Sequence, residues 1–122
     1  EFSLPVLAAA TALWRDEAHV EANRARYREK FDIAQSVIGN RYGFYRPAGG
    51  FYLWLDVGDS EAAAEALWRK AALRTLPGRY LTREDDSTSG ARASAAFPYL
   101  RIALVADAAA TREAMERVRD TL

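Results

Sequence analysis

The sequence has no cysteine, a single histidine (His19), no surplus of charge and no long apolar run. Without cysteine there can be no disulfide, thiolate zinc site, iron–sulfur cluster or cysteine nucleophile. One histidine excludes a His-rich metal site within one chain and leaves a Ser-His-Asp triad dependent on that residue. No metal is expected. The 17 basic and 17 acidic side chains cancel, whereas a nucleic-acid binder carries a basic excess. Only Lys30 and Lys70 among the basic side chains are lysines. No apolar run approaches the ~20 residues of a membrane span. A starting Met, a basic n-region and an apolar h-region are all missing, so no signal peptide is visible. Neither a nucleic acid nor a membrane is expected as a partner, and the expected location is the cytoplasm.

What is present is 122 residues, half of them apolar and 28% charged, as in a soluble single domain. The abrupt start at Glu1-Phe2, just ahead of a helix signal, reads as a cut within a longer chain. Ser3-Leu4-Pro5 starts a helix, with a capping Ser and a Pro in the first turn. Helix-favouring residues run to Ile38, with an apolar stripe at Val20, Tyr27, Phe31, Ala34 and Ile38. About 35 residues is long for one helix, and Asp16-Glu17 predicts a break.

A β region follows. Gly43 to Arg46 is a short strand candidate and Pro47-Ala48-Gly49-Gly50 a turn. Phe51 to Val57 is a stronger strand, bulky on both faces, so both faces are expected to be covered. Asp59 or Ser60 caps a helix to about Leu73, with Ala63, Ala66, Leu67 and Ala71 inward. Residues near Leu76 form a short strand candidate, and Arg83 to Phe97 reads as a mobile surface loop. Tyr99 to Val105 is the last strand. Asp107 caps a final helix with Ala114, Met115, Val118 and Leu122 inward. The order implies an α+β fold: a small, mainly antiparallel sheet with helices packed on it.

Arg101 stands in the middle of the last strand, where alternation favours an apolar residue. Its planar fork matches a carboxylate through two parallel hydrogen bonds. It is either a ligand-binding group or half of an ion pair on the sheet, with Asp56 as the candidate partner. Gly49, Gly50 and Phe51 suggest either a close backbone approach or a plain turn. Arg46 and Arg79 are candidates for lining an anionic pocket. Trp14, Trp54 and Trp68 read as core or interface anchors, and His19 as a solvated or capping residue. No Gly-rich loop opens a helix, so no phosphate cradle is visible. Lys30 and Lys70 both lie in charged helical surroundings, unlike an activated lysine.

Together these motifs resemble a known family. Pro47-Ala48-Gly49-Gly50-Phe51-Tyr52-Leu53-Trp54-Leu55-Asp56 resembles the strand that enters the small domain of class I/II aminotransferases. Leu76-Pro77-Gly78-Arg79-Tyr80-Leu81 resembles that family's Pro-Gly segment. Tyr99-Leu100-Arg101-Ile102-Ala103-Leu104 resembles its aromatic-x-Arg strand. Asp16-Glu17-Ala18-His19-Val20-Glu21-Ala22-Asn23-Arg24 with Tyr27-Arg28-Glu29-Lys30 is similar to the long helical segment joining the two domains. The resemblance covers essentially the whole chain and is nearest the succinyldiaminopimelate aminotransferase type of lysine biosynthesis.

It implies a single C-terminal small domain, 1–122, with 1–40 an interdomain helical segment and 41–122 an α/β sandwich. It further implies transfer of an amino group between an amino acid and a 2-oxo acid by a pyridoxal-phosphate-dependent, homodimeric parent. Arg101 would bind the substrate carboxylate, with Gly49, Gly50 and Phe51 behind it. The Schiff-base lysine and the other cofactor-binding groups belong to the large domain and have no counterpart here. The segment alone is therefore expected to bind no cofactor, to carry no catalytic residue and to be inactive. The large domain would be its partner. The competing reading is a free-standing α+β module that binds an acidic ligand or partner through Arg101.

Overall fold

Asp16 ends one helix and opens the next. A computed structural model of the chain describes residues 2–81 and 97–122. In it α1 spans Leu4–Arg15, with Pro5 in its first turn. The Asp16 amide bonds back to the Leu13 carbonyl at 3.3 Å, while its Oδ1 accepts from the Ala18 amide at 3.0 Å. The expected break thus falls at Asp16-Glu17, and α2 spans Ala18–Ile38. Its last turn closes on Gly39, whose φ of 63° suits a residue without Cβ.

Among the described residues the sheet has three strands: β1, Tyr52–Asp56; β2, Leu76–Pro77; and β3, Tyr99–Ala103. Their order is β1-β3-β2, with β3 antiparallel to both neighbours. The ladder continues past the strand ends, from the Leu104 amide to the Phe51 carbonyl and from the Val57 amide to the Pro98 carbonyl, each at 2.8 Å. Between β1 and β2 lies α3, Ser60–Ala71, and α4, Ala108–Thr121, closes the chain. Asp59 caps α3 by accepting from the Glu61 and Ala62 amides, and Asp107 caps α4 by accepting from the Ala110 amide.

Strand alternation divides the sheet into two unlike faces. Leu53, Leu55, Leu100 and Ile102 point to one side and are buried. There they meet Phe31, Ala34, Val37 and Ile38 of α2, Leu67 and Ala71 of α3, and Met115 and Val118 of α4. Each fully buried aliphatic side chain of this kind stabilises the fold by roughly 1.5–3 kcal/mol. Tyr52, Trp54, Tyr99, Arg101 and Ala103 occupy the opposite face, where none of them is fully buried.

Two sequence expectations need correcting, the strand at Gly43 to Arg46 and the inward Leu122. Among the described residues, helices cover one face of β1; on the other, Tyr52 and Trp54 are half-buried. Gly43 to Arg46 is not a strand. Arg41–Gly43 forms a 3-10 turn, and Tyr42 and Gly43 have φ of 57° and 59°, outside the extended region. Trp14 and Trp68 are 86% and 61% exposed, which removes the core reading and leaves the interface one. Leu122, the last residue, is exposed rather than inward. The loop expected over 83–97 lies, apart from Phe97, outside the described residues.

α1 buries none of its residues, and Leu4, Leu13 and Trp14 project from it exposed. No helix among the described residues is long and apolar enough to cross a membrane. Nor is any group of three or more His, Asp or Glu among them placed to hold a metal.

Candidate functional site

Arg101 occupies the centre of the central strand. Trp54 of β1 is opposite it on one side and Leu76 of β2 on the other. Hydrogen-bonded neighbours on both edges fix its backbone, and alternation aims its side chain at the open face. The guanidinium lies 4.5 Å from the centre of the Tyr52 ring. Among the described residues it makes no ion pair or side-chain hydrogen bond. Asp56 does not pair with it. That residue is in register with Tyr99, and its Oδ1 accepts from the Gly58 amide at 3.1 Å.

The rings near this group form two separate sets of contacts. Phe51 and Tyr52 have centroids 4.2 Å apart, and Tyr27 of α2 is 5.8 Å from Phe51. Trp54 meets Tyr99 edge-on at 6.5 Å. The result is an aromatic surface with Arg101 held over Tyr52. Such a surface suits a small carboxylate, because the in-plane N–H donors of a guanidinium over a ring stay free.

The other sequence candidates have different roles. Gly50 has a φ of 87°, which accounts for glycine there; nothing described lies within 4 Å of a Cβ added at Gly49 or Gly50. Those two glycines therefore show no close approach among the described residues, whereas Phe51 touches Tyr52 directly. Arg46 pairs with Asp32 and also donates to the Arg28 carbonyl at 3.2 Å. Arg79 binds Glu61 at 2.8 Å. Tyr80 donates to the same carboxylate at 2.8 Å, a bond that, with the Glu61 charge, pushes the phenol above its usual 10.0. Arg46 and Arg79 thus tie loops to helices. His19 is exposed and sits 3.2 Å from Asp16. Its hydrogen bond, followed by that of the Ala18 amide, holds the Asp16 carboxyl below its usual 3.8.

Neither lysine fits a cofactor-holding role. Lys30 Nζ donates to the Leu104 carbonyl at 3.0 Å and lies 4.9 Å from the Tyr27 ring centre. Lys70 is exposed on α3. With no helix-opening Gly-rich loop either, the described residues do not match the needs of a phosphate-bearing cofactor.

With this geometry in view, the chain was compared with known proteins. Its structural neighbours are aminotransferases. The crystal structure of an aminotransferase from Neisseria meningitidis Z2491 matches with a TM-score of 0.87 and 40% identity, over 98% of this chain and 30% of that one. An aromatic aminotransferase from Pyrococcus horikoshii OT3 matches with a TM-score of 0.72 and 25% identity, over 93% of this chain and 29% of that one. The chain thus spans under a third of the length of these aminotransferases. No protein-family model matches it, and no curated protein does.

Sequence reasoning singled out Arg101 and Phe51 but passed over Tyr52 between them. Tyr52 shares a face with Arg101 by alternation, yet only the strand register reveals that its ring lies beneath the guanidinium.

Proposed function

We propose that this segment is the small domain of a pyridoxal-phosphate-dependent aminotransferase and that Arg101 binds the carboxylate of the amino-acid or 2-oxo-acid substrate. The observation carrying this reading is the Arg101 head group. It is fixed on a central strand and lies 4.5 Å from the centre of a ring, without a carboxylate partner among the described residues. A purely structural arginine at such a position would be expected to pair with a carboxylate such as Asp56. The likeness to aminotransferases over 98% of the chain supports the same reading.

On this proposal the small domain binds and orients, while the remainder of the enzyme holds the cofactor. Two parallel hydrogen bonds from Arg101 fix the substrate's acid end, and with it the direction of the α-carbon. Holding reactants in the right geometry can lower a barrier by as much as ~7–11 kcal/mol. Tyr52 and Trp54 shield one side of the ion pair from water, which strengthens it. The proposal extends to the succinyldiaminopimelate type of lysine biosynthesis, a homodimeric parent, a cytoplasmic location and inactivity of the isolated segment.

The test uses the full-length enzyme. Arg101→Ala should lower kcat/KM for the amino acid by at least about 100-fold, the expected loss from two charge-assisted hydrogen bonds. The cofactor's absorption spectrum should not change. Arg101→Lys should recover little, because a point charge cannot reproduce the fork. Wild-type kinetics in Arg101→Ala would overturn the assignment.

A further inference from the structure

The Arg101 reading leaves open what keeps a long, flexible side chain in one orientation. Arginine has many rotamers, and a carboxylate-binding fork works only in one plane. A carboxylate neighbour would hold it but would compete with the substrate for the same N–H groups. An aromatic face holds a guanidinium by cation–π attraction within about 6 Å of its centre, while the N–H donors remain free along the guanidinium edge. Tyr52 offers such a face at 4.5 Å.

We infer that Tyr52 is the positioning residue for Arg101, acting through its ring rather than its hydroxyl. The inference rests on Arg101 being the carboxylate-binding group. Tyr52 does not stand alone: Phe51 lies against it at 4.2 Å, and Tyr27 lies against Phe51 at 5.8 Å. At the far end Lys30 sits over Tyr27, and its ammonium is fastened to the Leu104 carbonyl just beyond β3. The stack therefore runs from α2 to the guanidinium. The Tyr52 hydroxyl makes no hydrogen bond among the described residues, so the ring alone accounts for the contact.

The experiment compares variants of the full-length enzyme with 2-oxoglutarate and with succinic semialdehyde, the same acceptor without its α-carboxylate. Tyr52→Phe keeps the ring and should hold KM for 2-oxoglutarate within about 2-fold. Tyr52→Leu keeps an apolar side chain but no π-face, and should raise that KM by about 2- to 30-fold. Tyr52→Leu should raise KM for succinic semialdehyde by less than it raises KM for 2-oxoglutarate. Tyr52→Met replaces Tyr52→Leu if the latter does not fold. Arg101→Ala serves as the reference for complete loss of the clamp. Wild-type KM in Tyr52→Leu beside an impaired Arg101→Ala would overturn the inference and leave the reading beneath it intact. Equal damage in Tyr52→Phe and Tyr52→Leu, or equal damage with both acceptors, would also overturn the inference. An unaffected Arg101→Ala would overturn the reading itself.

Discussion

Arg101 and Asp56 lie on neighbouring strands, yet the register sets them two positions out of step. Asp56 is engaged with the Gly58 amide, and Arg101 with the Tyr52 ring. Removing the Asp56 charge should therefore have little effect on substrate binding. On the proposed function, Asp56→Asn in the full-length protein is expected to keep KM for the amino acid within about 2-fold, since exposed charges contribute little. A tenfold change would show that the two residues communicate. Arg101 was legible in the sequence because a charge interrupts an alternating strand. Tyr52 was not, because its significance depends on which residue of β3 it meets, and alternation alone does not set register.

Local signals located most of the helices. The Asp107 cap and the elbow at Asp16 stand where the sequence placed them, and of Asp59 and Ser60 it is Asp59 that caps α3, because each is decided by a side chain and amides two or three residues away. Asp59→Ala should lower unfolding stability by ~1 kcal/mol, as measured by denaturant titration, because two amides at the start of α3 lose their acceptor. No measurable loss would mean that water replaces the carboxylate without cost. The strand expected at Gly43 to Arg46 failed for an equally local reason. Positive φ at Tyr42 and Gly43 turns the backbone out of the extended region, and apolar alternation carries no information about that sign. β2 was the weakest signal, yet it forms, because Leu76 and Pro77 find a partner in the other edge of β3.

At the scale of the whole molecule, α2, α3 and α4 cover one face of the sheet, and among the described residues the other face carries Arg101 and its rings. Leu100 marks the centre of the covered face, fully buried between the strands and the helices. Leu100→Ala should destabilise the fold by about 2–5 kcal/mol, read as a lower denaturation midpoint. A cost under about 1 kcal/mol would mean a core looser than described. The sequence made the covered face legible through its periodicity. It did not say what meets the other face, since half-buried aromatics are equally bulky whether they pack beneath a helix or line a binding surface. α1 belongs to this scale too, for its apolar residues face outward and contribute nothing to the core.

The most direct measurement is a crystal structure of the full-length protein with a 2-oxo acid bound. The account predicts the acid's carboxylate held by both terminal nitrogens of Arg101, at roughly 2.7–2.9 Å, with the guanidinium still over Tyr52. A carboxylate bound elsewhere, with Arg101 turned away from it, would contradict the account.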